Sequence, residues 1–270
     1  MEIAFTKLSP TQNVTVLVES PVPREAHAAI AARLLAVDGV GGEQAGFLEP
    51  PSLPGARMRL QMMGGEFCGN ASMSTAALLA WQDGLPDGAE ADLALEVSGA
   101  SGLTPCHIRR CGDLYRGTVQ MPLPERIESV RLSTDHGTAE FPMVVMPGIV
   151  HVVAADGLLS RAEIQRRIRD WSRQIGADAL GVLRWNATAR AIEPIVYVPA
   201  TDTAVWERGC GSGTAALGSW MAACDSASIR ACVRQPGGEI AVDAEFLEGR
   251  VGRLSITGDV RIVARGVAYL

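Results

Sequence analysis

Two short stretches hold the residue types that could do chemistry. "GGEFCGNASMS" (64–74) sets Cys68 between a glycine-flanked acidic residue and a run of small residues that reads as a helix start. "WERGCGSGTAA" (206–216) does the same for Cys210. At a helix N-terminus the first backbone N–H groups have no partner within the helix, and the aligned peptide dipoles favour negative charge. A thiolate is stabilised there, and its pKa is expected to fall. A carboxylate can also dock on those N–H groups, helped by glycines that let a ligand come close. Two such ends turned to one small carboxylic acid would offer a thiol to each face of its α-carbon. That arrangement takes a proton from one side and returns one on the other, which is racemisation or epimerisation.

An amino-acid α-proton is only weakly acidic, and many racemases use pyridoxal phosphate as an electron sink, held through a lysine. The sole lysine is Lys7, in the first expected strand. The reading is therefore a chemistry without cofactor, in which oriented N–H donors and exclusion of water stabilise an enolate-like charge. The other four cysteines, Cys106, Cys111, Cys224 and Cys232, read as small buried apolar side chains. They form no paired CxxC, so neither a zinc module nor a disulfide framework is expected, and the metal assignment is none.

These residues need a scaffold, and the chain has material for one. With 270 residues, 47% hydrophobic and 20% charged, it can bury two cores of ordinary size. A net charge of −6 with scattered arginines argues against a nucleic-acid partner, and Arg166, Arg167 and Arg169 read as a solvated helix face. Neither a signal peptide nor a membrane-spanning run is evident, so the expected setting is cytoplasmic, with a small-molecule substrate, no membrane partner and a possible homodimer.

Periodicity predicts strands at 2–7 and 14–20 around an "SPTQN" turn, a helix at "PREAHAAIAARLLA", and short strands near 45–48 and 57–62. The first cysteine loop then feeds a helix over about 69–83, and a meander of three strands follows. The second half repeats this order. Strands fall around 141–154, a helix at "SRAEIQRRIRDWSRQI", strands at 180–185 and 192–198, then the second cysteine loop, a helix at about 211–223 and a closing meander that includes "RVGRLSITGDV" and "RIVARGVAYL". The expected organisation is two halves, 1–124 carrying Cys68 and 125–270 carrying Cys210. The linker is placed near 122–132, the last strand is free to cross back, and the site is expected in the cleft between the halves.

The stretches "PTQNVTVLV" (10–18), "GGEQAGF" (41–47), "EFCGNASMS" (66–74), "CGSGTAALG" (210–218) and "RQPGG" (234–238) resemble the diaminopimelate epimerase-like family of cofactor-independent amino-acid racemases. Within it the chain is most similar to the histidine racemases of staphylopine-type opine metallophore biosynthesis. The resemblance implies an α+β fold of two pseudo-symmetric domains, each a curved mixed sheet around a central helix. It also implies that Cys68 and Cys210 are the base and acid pair. Gly69 and Asn70, with Gly211 and Ser212, match positions that bind the substrate's α-carboxylate and ammonium region. Asn13 and Gln44 match polar substrate contacts, and Glu207 an acidic position that meets the ammonium. The family's Asn-Pro-His loop is reduced to His151 in "PGIVHVV", and Glu207 and Arg208 stand closer to Cys210 than the family's Glu-Arg pair. Both departures point away from diaminopimelate and fit a substrate with a different side chain. A diaminopimelate epimerase, a racemase of another amino acid and a non-catalytic amino-acid-binding protein are the rivals. Turn formation by Asn13 and Gln44, capping by Asn70, a surface role for Glu207 and a core role for His151 remain open, as does whether Trp206 lines the pocket or packs beneath it.

Overall fold

The computed structural model describes residues 1–270. In chain order the elements are β1 (Glu2–Pro10), β2 (Thr15–Val18), α1 (His27–Leu35), β3 (Gln44–Glu49), β4 (Met58–Met62), α2 (Gly69–Gln82), β5 (Glu90–Val97), β6 (Leu103–Cys111) and β7 (Leu114–Gln120). They continue with β8 (Arg126–Thr134), β9 (Gly137–Met146), β10 (Ile149–Ala155), α3 (Arg161–Ile175), β11 (Leu180–Asn186), β12 (Ala191–Val198), β13 (Thr203–Trp206), α4 (Gly211–Asp225), β14 (Ile229–Gln235), β15 (Gly238–Leu247) and β16 (Arg250–Tyr269). This is a sheet-rich α+β fold with four α-helices. No helix is long and apolar enough to cross a membrane. The chain divides into two compact units, one of residues 1–120 and 257–270, the other of residues 121–256.

In the first unit the strands follow the order β1-β2-β3-β4-β5-β6-β7-β16, and β16 also pairs antiparallel with β1 from Glu2↔Tyr269 to Pro10↔Val260. The ladder therefore closes on itself, leaving no open edge between β1 and β7. α2 packs against β1, β2, β4, β5, β6 and β7, so it is wrapped by the strands. Its sequence explains how. Gly69 to Ala80 are all buried, and they are mostly Ala, Ser, Thr and Gly, whose small volume lets strands approach on every side. Two of its three buried hydroxyls bond back to the helix: Ser72 Oγ donates to the Cys68 carbonyl at 2.8 Å and Thr75 Oγ1 to that of Ala71 at 2.9 Å, while Ser74 Oγ has no partner. A separate layer, with Ile30 and Leu34 of α1 against Ile3, Val16, Val18 and Phe47, seals the sheet's other side. Each such side chain contributes about 1.5–3 kcal/mol on leaving water.

In the second unit the order is β15-β14-β12-β11-β10-β9-β8, with β13 on β12 and the start of β16 on β15. α4 packs against β9, β10, β14 and β15 and is, like α2, built from small buried residues. α3 lies on β8, β11 and β12, burying Ile164, Ile168 and Trp171 while its arginines face outward. Its ends carry ordinary signals: Ser160 Oγ caps the Glu163 N–H, and Gly176 ends it at φ 75°. Arg166 and Arg167 pair with Asp135, and Arg169 with Asp202.

Four local expectations change. Of the four cysteines read as buried only Cys106 is; Cys111, Cys224 and Cys232 are exposed, at strand and helix ends or on a strand's outer face. The segment read as a linker overlaps β8, a strand too polar on its exposed side to show clear alternation. The two closing strands are one, β16, twenty residues long, held continuous by successive partners. The proline-led start of the first helix is a 3-10 turn, Arg24–Ala26, before α1 begins.

Candidate active site

Cys68 occupies the N-cap of α2 in an extended conformation (φ −133°, ψ 112°), and its sulfur accepts the Ala71 N–H at 3.4 Å. Its thiol donates to Gln44 Oε1 at 3.0 Å. The Gln44 amide in turn donates from Nε2 to Asn13 Oδ1 at 2.7 Å and to Thr15 Oγ1 at 2.8 Å. Asn13 Nδ2 donates to Glu43 Oε2 at 2.8 Å. A hydrogen-bonded chain thus joins the β1–β2 turn, the start of β3 and the start of α2. Thr11 and Gln12 make that turn tight enough to deliver Asn13, both lying in the left-handed region (φ 45° and 60°). Gly69 and the buried Asn70 follow in the helix's first turn; the capping position itself belongs to Cys68.

Cys210 is the N-cap of α4 (φ −113°, ψ 103°), and its sulfur accepts the Gly213 N–H at 3.3 Å. A Cβ at 213 would lie 3.1 Å from that sulfur and 2.7 Å from Leu183, so only glycine lets the amide approach so closely. The cap's backbone is clamped from both ends. Gln235 Oε1 accepts the Cys210 N–H at 2.6 Å, Gln235 Nε2 donates to Thr214 Oγ1 at 2.7 Å, and Thr214 Oγ1 donates to the Cys210 carbonyl at 2.7 Å. Ser212 Oγ stands 3.6 Å from the sulfur and 3.0 Å from His151 Nε2.

His151 is wholly buried, and burial drops its pKa to about 3, so the ring is neutral. Its Nδ1 has no hydrogen-bond partner and lies against Gly181, its register partner on β11, where a Cβ would come within 2.1 Å. A buried N–H without partner costs more than an unpaired acceptor, so the ring proton belongs on Nε2. Nε2–H then donates to Ser212, whose own hydroxyl hydrogen is turned to the Cys210 sulfur. Burial pushes the Cys210 thiol well above its usual range, helped by the charge of Glu207 and a hydrogen bond to it; Ser212 and the Gly213 N–H pull the other way. The expectation that the helix start would lower this pKa fails for Cys210, because desolvation in a residue only 3% exposed outweighs one N–H.

The structure brings Asn13, Gln44 and Cys68 into one chain in the first unit, and Glu207, Cys210, Ser212 and His151 into contact in the second, with Gly211 beginning α4. Trp206 packs on α3, its Nε1 donating to Gln165 at 2.9 Å and its ring lying 4.2 Å beneath Arg161. Lys7 donates to the Val40 carbonyl at 3.0 Å. Thr15, Glu43, Thr214 and Gln235 escape the sequence reading as members of these networks. Each lies within a quoted stretch, Thr15 in "PTQNVTVLV", Glu43 in "GGEQAGF", Thr214 in "CGSGTAALG" and Gln235 in "RQPGG", but nothing in those stretches marks it as a hydrogen-bond partner of a cysteine network.

A family model described as "Histidine racemase CntK N-terminal domain" matches residues 2–269. The histidine racemase of Staphylococcus aureus (strain Mu50 / ATCC 700699) is 32% identical over 279 residues, covering 99% of this chain and 98% of that protein. The histidine racemase of Fusobacterium nucleatum subsp. nucleatum (strain ATCC 23726 / VPI 4351) is 28% identical, covering 98% and 97%. The fold is shared with a hydroxyproline epimerase from Agrobacterium vitis, solved with bound trans-4-hydroxy-L-proline, at a TM-score of 0.74 and 12% identity over 100% of this chain and 93% of that one. It is shared also with a phenazine biosynthesis protein PhzF family member from Enterococcus faecalis, at a TM-score of 0.60 and 17% identity, covering 100% of both chains.

Proposed function

The chain belongs to the histidine racemase family, and from that premise we propose that it interconverts L- and D-histidine by a two-base mechanism in which Cys68 and Cys210 exchange the roles of base and acid. The observation that carries this is the repeated device of a cysteine at a helix N-cap whose sulfur accepts the N–H three residues on, at Ala71 and at Gly213. One sulfur, as thiolate, takes the α-hydrogen as a proton. The electron pair left behind delocalises into the carboxylate as an enolate-like charge, and the other thiol delivers its proton to the opposite face. At the end the two sulfurs have exchanged protonation states, and the reverse direction runs from there. Gly69 and Asn70, with Gly211 and Ser212, hold the carboxylate and ammonium region, and Glu207 faces the ammonium.

This reading takes the molecule as two pseudo-symmetric domains, 1–124 and 125–270 with the last strand crossing back to the first, each contributing one thiol. It needs no pyridoxal phosphate, which fits the family. The product, D-histidine, is proposed as a building block for an opine metallophore. Proton NMR in deuterated water, with reductant, tests the substrate: the α-proton of L-histidine should vanish while those of LL-diaminopimelate and a panel of other L-amino acids persist. Exchange with diaminopimelate alone would reassign the enzyme, and tight histidine binding without exchange would make it a binding protein.

A further inference from the structure

The hydrogen-bonded chain at Cys68 has a direction, and we propose that Glu43 is a positioning residue that sets this direction and thereby holds Cys68 in its thiol form. The inference rests on Cys68 being one of the two reacting sulfurs. A carboxylate only accepts, so the Asn13 amide must turn its Nδ2 to Glu43, as it does at 2.8 Å. Its Oδ1 is then left to face Gln44 and takes the Nε2 of that residue at 2.7 Å. Gln44 must therefore show Cys68 its carbonyl oxygen, at 3.0 Å. An acceptor there stabilises S–H and repels a thiolate. Thr15 works in the same sense: its hydroxyl donates to the Asn13 carbonyl at 3.3 Å, leaving the oxygen to accept the Gln44 amide at 2.8 Å.

The alternative order is available to the same atoms. With an amide at position 43, Asn13 and Gln44 can both turn over, the Thr15 hydroxyl can reverse, and Gln44 would then offer an N–H to the sulfur and favour the thiolate. Other charged groups on these segments are Glu66, two residues before Cys68, and Lys7, whose ammonium is turned to the Val40 carbonyl. Neither takes part in the amide chain.

The test is the pH profile of Cys68 alkylation by iodoacetamide in the full-length chain, followed by mass spectrometry of the peptide containing Cys68. This readout does not depend on racemisation, so it separates failure of this inference from failure of the histidine assignment. Glu43 is exposed, and Glu43→Gln preserves its size, so the fold should tolerate the change. The midpoint is expected to fall by about half to one pH unit, or about three- to tenfold more thiolate at a given pH below it. Loss of the Glu43 charge alone would act in the same direction, so Glu43→Gln is repeated on a Gln44→Leu background, where the amide chain is cut. Disappearance of the shift there supports the relay. A shift that persists at full size, or no shift in the single variant, overturns it.

Discussion

At the start of α2 the Cys68 sulfur accepts the Ala71 N–H at 3.4 Å, and at the start of α4 the Cys210 sulfur accepts the Gly213 N–H at 3.3 Å. In each helix a hydroxyl one turn on, Ser72 or Thr214, bonds back to the cysteine carbonyl. Beyond that shared cap the two regions differ. Cys68 is partly exposed and meets an amide carbonyl, at the end of a chain that begins on a surface carboxylate. Cys210 is buried and meets a serine hydroxyl, at the end of a chain that begins on a buried neutral imidazole. One backbone device can therefore serve two sulfurs whose protons are governed by different side chains.

The comparison breaks most completely if one sulfur proves dispensable. Cys68→Ser and Cys210→Ser should each lower histidine racemisation, followed by circular dichroism, by about 100- to 10,000-fold, the range for loss of a positioned acid or base. Retention of most of the activity by either variant would remove the two-base mechanism. A smaller effect sharpens the difference between the regions. Ser212→Ala should reduce turnover by about tenfold, the worth of one hydrogen bond to a charged sulfur, and move the alkylation midpoint of Cys210 upward while leaving that of Cys68 in place. His151→Gln should do the same more weakly, since it acts through Ser212. Equal shifts at both cysteines would mean a general loosening.

The gentlest contrast lies in acid stability. His151 is held neutral with a pKa near 3 against an ordinary 6.5, so an unfolded chain binds a proton that the folded chain refuses between those values. Its contribution is complete above pH 6.5 and declines as pH falls toward 3, by about 1.4 kcal/mol per pH unit. In the first unit the buried Glu96 carboxylate accepts Ser52 Oγ and the backbone N–H groups of Ser52 and Leu53, and beside Arg59 it is held at about 2 against 4.5. Its contribution is complete above pH 4.5 and is lost only as pH falls from there toward 2. Hydrogen exchange across pH 7 to 4.5 should therefore show the second unit weakening first, and His151→Gln should flatten that slope. Parallel weakening of both units over that range would show that His151 does not dominate it.

Much of this molecule is legible in its sequence. The two cysteine contexts, the small-residue helices after them and the strand–helix order are local patterns, and local patterns follow from backbone sterics and side-chain size. β8 does not show in the sequence because its exposed residues are polar and its pairing with β9 is a tertiary matter. The continuity of β16 is likewise a matter of tertiary pairing, with β15, β7 and β1 along its length.

The sequence by itself determined that a thiol stands at the head of each of two buried helices, because glycine, small residues and an N-cap leave few other conformations. Only the tertiary structure decided what each thiol touches. Gln44 lies 24 residues before Cys68, Gln235 lies 25 after Cys210, and His151 lies 61 before Ser212. Such separations are closed by strand pairing and core burial, and no spacing rule along the chain anticipates them. Burial also overruled the helix end at Cys210, since the cost of removing a charge from water depends on everything packed around it.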